Sequence, residues 1–456
     1  MRGHKGALAD CRIPSMRSRA RFVPALLGLA FIMLAAAFGP RFLPVGEASP
    51  LTNPADFRAF YCAGRVVASG ADAYRVEPLR GCEQAQTRRL GLAMVPGLVT
   101  AAPLPPYALA VFAAFSAMPY PSAVCAWFAL LLLATAAAAL ALRKSTQLPV
   151  LAIAPIFTIC AFSAMLLGQL LPIVAFLVVA AADALAAGRR WVCAGALALA
   201  MIEPHVALPA CLAVFAARRE LRLPLLVSGL ALLVPSLFVG GARSYVEYFG
   251  RELPIHALSE THALQAQYSL TTLLASIFGV PGKAAVLAGE LDYLAMVGLG
   301  LFVALRIAGR TRDMRYLLFI PPAFAALGGM FSHVYTFYIV LPAAVSLAAT
   351  FPRERALPYW LASAGIALSA LLDAMYGEGL ASHARAALES YGPDRFASEV
   401  TGAFQSSRMP ADPGSILAIL ALKLPLVAGL AALVAAATGA ALSTTPSAVT
   451  PRLSST

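Results

Sequence analysis

The chain has 456 residues, 60% of them hydrophobic and only 12% charged, with a formal charge of +12. Apolar runs recur from one end to the other, which excludes an ordinary soluble globule and indicates a polytopic, all-α integral membrane protein. The basic residues fall in short groups between those runs, so they read as topology-setting cytoplasmic loops and not as a nucleic-acid surface.

Residues 1–21 form a basic tail with Arg2, Lys5, Arg12, Arg17, Arg19 and Arg21, and residues 22–39 are apolar. That run is long for a signal peptide and lacks a small-x-small cleavage site, so it is expected to be a retained first helix with its N-terminus inside. Residues 41–103 then form a long outer loop. Within it, residues 53–83 are the densest mixture of carboxylate, guanidinium, aromatic and cysteine in the chain. Asn53 suits an N-cap, Pro54 the first helical position, and Phe57, Phe60, Tyr61, Gly64 and Val67 recur at helical spacing. The spacing predicts an amphipathic helix with Asp56 in its first turn, where a carboxylate also complements the helix dipole.

Seven cysteines divide by location. Cys125, Cys160, Cys193 and Cys211 lie in apolar runs and Cys11 in the basic tail, which leaves Cys62 and Cys82 in the same outward-facing loop. Disulfides persist in such a compartment, so these two are expected to pair.

After Pro103-Leu104-Pro105-Pro106-Tyr107 comes an apolar run to Met118, too short to cross about 30 Å of hydrocarbon and read as interfacial or re-entrant. Residues 121–142 run inward to Arg143 and Lys144, 148–167 outward to Gly168-Gln169, and 170–187 inward to Arg189 and Arg190. Residues 191–217 lie between basic pairs and are broken by Glu203-Pro204-His205, which predicts a re-entrant hairpin with polar groups at a cavity. Residues 222–240 run outward to a second outer loop, 241–283, and residues 284–305 return to Arg306, Arg310, Arg312 and Arg315. Residues 316–331 lead out to Ser332-His333-Val334-Tyr335, and 336–350 lead back in. The C-terminal part, 351–440, adds segments 357–373 and 415–438 around a third outer loop, 374–414, before a tail at 441–456. Counting the hairpin twice gives about twelve membrane segments, both termini cytoplasmic, with short amphipathic helices in the outer loops.

No P-loop, dinucleotide fingerprint, histidine pair at metal spacing or Asp-x-Asp occurs in the sequence. What remains is a set of outward-facing polar residues on a membrane platform. An outer loop opening with Asp56-Phe57, then Tyr61, Ala63-Gly64-Arg65, Gly70 to Tyr74, Pro103 to Tyr107, Leu167-Gly168-Gln169, a Pro-centred hairpin between basic pairs and Glu260 to Ser269 follow in order. From about residue 20 to about residue 350 this order resembles glycosyltransferase family 87, of the membrane-embedded GT-C superfamily.

The resemblance implies a catalytic region at 22–350 and a hexosyltransferase of the cell inner membrane, working outside the cytoplasm. Its partners would be a polyprenyl-phosphate sugar, with mannose as the expected sugar, and a glycan, lipid or protein acceptor. It implies that Asp56 is the catalytic base of a single inverting displacement, and it offers Arg58, Arg65, His205, His256, His262 and His333 for the leaving phosphate. Gln169 is a candidate sugar contact or a helix-end cap, Glu260 lies in the second loop motif, and His333 and Tyr335 are expected to line the outer cavity. No cofactor is implied and no divalent metal is demanded. Relatives commonly have Lys-Pro at the hairpin turn, whereas Glu203 stands here, so either His205 meets the phosphate instead or this branch handles its donor differently. Two rivals remain: a secondary transporter or flippase, against which no internal repeat is seen, and a polyprenyl-lipid binder without turnover.

Overall fold

The computed structural model describes residues 54–89, 99, 102–260, 268–271, 282–329, 332–376 and 413–443. The expected first helix at 22–39, Asn53, Cys11, His262 and most of the third outer loop lie outside the described residues. Every named element is helical. Two helices within residues 41–103, α1 (Ala55–Ala68) and α2 (Val76–Arg89), precede the short α3 (Pro106–Phe115) and the long α4 (Tyr120–Thr146). Next come α5 (Val150–Leu167), α6 (Leu171–Ala186), α7 (Arg190–Ala200), α8 (Pro204–Ala217) and α9 (Arg219–Glu247). A π-helical turn, Tyr248–Glu252, leads into α10 (Leu253–Glu260). After them come α11 (Gly282–Thr311), α12 (Tyr316–Ala325), a 3-10 helix (Val334–Val340), α13 (Leu341–Thr350), α14 (Arg353–Tyr376) and α15 (Pro413–Leu442).

Among the described residues, five stretches are long and apolar enough to cross a membrane: Tyr120–Thr146, Val150–Leu167, Arg219–Phe238, Lys283–Thr311 and Lys423–Leu442. Helices α3, α6, α7, α8 and α12 are shorter apolar pieces. The broken segment is therefore two separate helices, with Met201, Ile202 and Glu203 forming the turn between them. At 1.5 Å per residue each arm covers only about 16–21 Å. The arms pack mainly on different neighbours, α7 on α6 and α8 on α12. Helix α9 is interrupted at Gly241, whose φ of 71° and ψ of 163° only glycine adopts readily.

The described part of residues 41–103, the expected first outer loop, is packed against the rest of the molecule. Pro54 takes the N-cap of α1, one position earlier than its expected place, and its carbonyl accepts the first helical bond from Arg58 N at 2.9 Å. Phe57 is fully buried and meets Trp127 at 5.2 Å, Tyr120 at 6.2 Å and Phe112 at 6.3 Å between ring centroids. Helix α1 also crosses α3 so closely that a Cβ on Gly64 would lie 2.3 Å from the Phe112 carbonyl carbon. Aromatic tips complete the attachment, because Tyr61 Oη donates to Met118 O at 2.8 Å and Tyr74 Oη to Leu104 O at 2.6 Å. Asp72 accepts from Tyr74 N at 2.9 Å, making a turn, and Arg75 reaches Glu247 of the 241–283 segment at 2.6 Å. Lys423 is buried, with Nζ 5.0 Å from the centroid of the Tyr268 ring.

Candidate active site at one end of the helix bundle

The site begins with a backbone constraint. Helix α5 stops at Gly168 in the left-handed region, φ 78°, with Gln169 N bonding back to Ala164 O at 2.8 Å. Gly168 is also a close-approach point: a Cβ there would sit 2.5 Å from Phe57 Cβ and 3.1 Å from both Phe57 N and Pro54 Cβ. Trp127 Nε1 fixes the same peptide by donating to Gly168 O at 2.9 Å. The consequence falls on the next residue. Gln169, itself buried, donates from Nε2 to Asp56 Oδ2 at 2.5 Å. Asp56 is half-buried in the first turn of α1, beside the fully buried Phe57, so its carboxylate is held by packing on one side and an amide on the other.

The turn between α7 and α8 is held from two directions. Tyr107 Oη donates to Met201 O at 2.7 Å, and Tyr293 Oη donates to His205 O at 2.6 Å. Between these clamps Glu203 is buried, and it lies within electrostatic range of Asp56. Burial, reinforced by that neighbouring carboxylate, pushes the Glu203 carboxyl up to about 8. Its Oε2 is 3.4 Å from His205 Nδ1, close enough to suggest an ion pair. With the Glu203 acid mostly protonated at neutral pH, we read this contact as a neutral one.

His256 on α10 and His333 both lie within electrostatic range of His205. His333 stacks on Tyr335 at 5.0 Å with a 19° interplanar angle. The backbone around His333 is braced by Tyr268 N, which donates to Ser332 O at 2.6 Å, and Thr271 Oγ1 anchors the same segment to Asp292 Oδ2 at 2.6 Å. Thus Asp56, Gln169, Glu203, His205, His256, His333 and Tyr335 form one polar layer. Chemically it offers a positioned carboxylate, a buried carboxyl group and several imidazoles. Among the described residues no cluster of three or more His, Cys, Asp or Glu has metal-binding geometry.

Two predicted site residues belong elsewhere. Arg58 and Arg65 are seven residues apart and share a face of α1, but that face is turned about 160–180° from Asp56 at 100° per residue. Arg58 is buried against Glu83 of α2, Nε to Oε2 at 3.6 Å, and Arg65 is exposed beside α2. Helical periodicity makes this separation unavoidable once Phe57 points into the core. Cys62 and Cys82 form a disulfide that ties α1 to α2 on the same reverse face, with Cα atoms 5.6 Å apart. Glu260 is the last residue of α10, and its side chain lies outside the described residues.

Sequence reasoning missed Tyr107 and Tyr293 as clamps of the hairpin turn. The signal for Tyr293 was present: Glu290, Asp292 and Tyr293 interrupt an otherwise apolar run, and polar residues in such a run mark an interior contact. Tyr107 was legible only as part of a proline-rich motif, because its partner is a backbone carbonyl 94 residues away.

Residues 104–320 match the sequence model of glycosyltransferase family 87. The match contains Gln169, Glu203, His205, His256 and Tyr293, and Asp56 precedes it. No curated protein and no solved structure matches the chain.

Proposed function

From this glycosyltransferase family 87 region, which indicates a glycosyltransferase, we propose that the protein moves a hexose, mannose in our reading, from a polyprenyl-phosphate carrier to an acceptor outside the cytoplasm. The observation that carries the reading is the Gln169–Asp56 hydrogen bond, which joins a residue of the matched region to the one half-exposed carboxylate of the polar layer. Asp56 takes the proton of the acceptor hydroxyl as its oxygen forms a bond to the anomeric carbon. The bond from that carbon to the phosphate oxygen breaks, the electron pair leaves with the polyprenyl phosphate, and the configuration inverts. Gln169 orients Asp56 and stabilises its ionised form by donating to Oδ2.

Glu203 fits this reaction better than its charge suggests. A protonated carboxyl donates a hydrogen bond, so at neutral pH it can meet a phosphate oxygen where an ionised one would repel it. Elevation of the Glu203 carboxyl to about 8 supports that role, with His205, His256 and His333 as further polar partners. The layer lies at the end of the bundle away from Arg143 and Lys144, which close α4 at its other end. By the excess of basic residues on that far side, the site faces outward in an inner membrane.

The test is donor choice. Purified protein in nanodiscs is given short-chain polyprenyl phosphate mannose, polyprenyl phosphate glucose or a nucleotide sugar, with envelope extracts as acceptors. The proposal expects transfer from the polyprenyl donors, mannose first, and an inverted anomer in the product. Transfer from the nucleotide sugar alone would overturn it.

A further inference from the structure

The disulfide-linked helices α1 and α2 enclose a groove of about 290 Å³ on the reverse face of the Asp56 helix. From α1 it is lined by Arg65, Val66 and Ser69, and from α2 by residues that include Gly81, Cys82 and Gln86. Nine residues separate Asp56 from Arg65, about 13 Å along the axis and half a turn round it. The groove is therefore distinct from the polar layer that holds the proposed base.

Three features make it a built site. Gln86 is only 1% exposed, yet its Oε1 accepts no hydrogen bond from a described residue. A buried amide oxygen in this condition costs about 1–3 kcal/mol unless a donor reaches it. Arg65 is exposed at the rim, and no described carboxylate lies within ion-pair distance of its guanidinium. Gly81 leaves the wall open, since a Cβ there would meet nothing within 4 Å. Arg58 is paired with Glu83, so among the described residues that line the groove the unpaired cation is Arg65. The cross-link Cys62–Cys82 holds the two walls at fixed separation.

We propose that this groove binds an anionic saccharide, with Arg65 holding its carboxylate or phosphate, Gln86 Oε1 accepting from a ring hydroxyl, and Val66 and Pro78 lying against the C–H face. It would act as an exosite for a charged unit of the acceptor glycan, remote from the reacting hydroxyl. The inference rests on the proposed transferase reading only in taking the ligand to be a saccharide on the outer face. Its test reads binding and needs no sugar transfer.

Saturation-transfer NMR on the full chain in nanodiscs is run with methyl glucuronide, mannose 6-phosphate and neutral methyl mannoside. The two charged probes separate carboxylate from phosphate recognition, and at least one is expected to bind while the neutral sugar does not. Arg65→Ala and Gln86→Leu are each expected to weaken binding about tenfold, the loss of one charge-assisted or buried hydrogen bond. Gly81→Leu, which fills open space, is expected to abolish it. Intact-mass detection of the disulfide and an unchanged melting temperature establish that the variants are folded. Equal binding of neutral and charged sugars, binding of none of the three, or binding that survives Gly81→Leu would each overturn the proposal. Failure of the transferase reading would instead appear as absent transfer with saccharide binding intact.

Discussion

Replacing Gly168 by alanine strikes the contact that sets the geometry of the site. Two costs add. A residue with a Cβ pays about 1–2 kcal/mol to hold φ at 78°. Its methyl group would start 2.5 Å from Phe57 Cβ and 3.1 Å from Pro54 Cβ, and relieving such an overlap in a packed core costs about 1–3 kcal/mol. The sum, about 2–5 kcal/mol, is large against the net stability of most proteins. The relief has a direction, because Phe57 and Pro54 belong to the start of α1 and the new methyl drives Asp56 away from Gln169. Gly168→Ala should therefore lower the melting temperature by several degrees in detergent and reduce transfer further than the unfolded fraction explains. Trp127, bonded to the Gly168 carbonyl, provides a fluorescence signal for the same displacement. A variant that melts and transfers like the wild type would refute the close packing of α1 on the α5 terminus.

Three other outcomes are expected. Gln169→Leu removes a charge-assisted hydrogen bond worth about 1.5–3 kcal/mol, so kcat should fall roughly tenfold to a hundredfold with little change in melting temperature; an unchanged kcat would deny Gln169 a positioning role. Glu203 has a folded-state value of about 8 against an ordinary value of 4.5, so the folded protein binds the extra proton between them and stability falls as pH rises through that window. Glu203→Gln should flatten the fall in unfolding free energy between about pH 5 and 8, and a slope identical to wild type would contradict the buried, protonated acid. Replacing both Cys62 and Cys82 by alanine opens a cross-link between residues 20 apart, which should cost about 3 kcal/mol by loop entropy, read as a lower denaturation midpoint.

The fold was legible where hydropathy decides it. The runs at 121–142, 148–167 and 284–305 each became part of a membrane-length helix, because an apolar stretch of that length has few other ways to satisfy its backbone. The segments at 170–187 and 316–331 became shorter helices, since Pro321 and Pro322 and the turns after Ala186 and Ala325 depend on tertiary packing that hydropathy does not record. Within the site, Asp56, Gln169 and Glu203 were readable as polar residues at helix junctions. Their mutual placement was not, because the Asp56–Gln169 bond spans 113 residues. The arginines show the opposite failure. Arg58 and Arg65 look like phosphate ligands by charge alone, but the helical phase set by Phe57 turns both toward α2. A helical-wheel projection with Phe57 inward would have separated them from Asp56.

The central claim is that Asp56 is the base of a sugar transfer from a polyprenyl phosphate. Its most direct test is the initial rate of transfer from polyprenyl phosphate mannose by wild type and by Asp56→Asn, which keeps the shape of the side chain and can still meet the Gln169 amide. Loss of the base should lower the rate about a hundredfold to ten-thousandfold while donor binding and melting temperature persist. Transfer by Asp56→Asn within a few fold of wild type would contradict the assignment of the base.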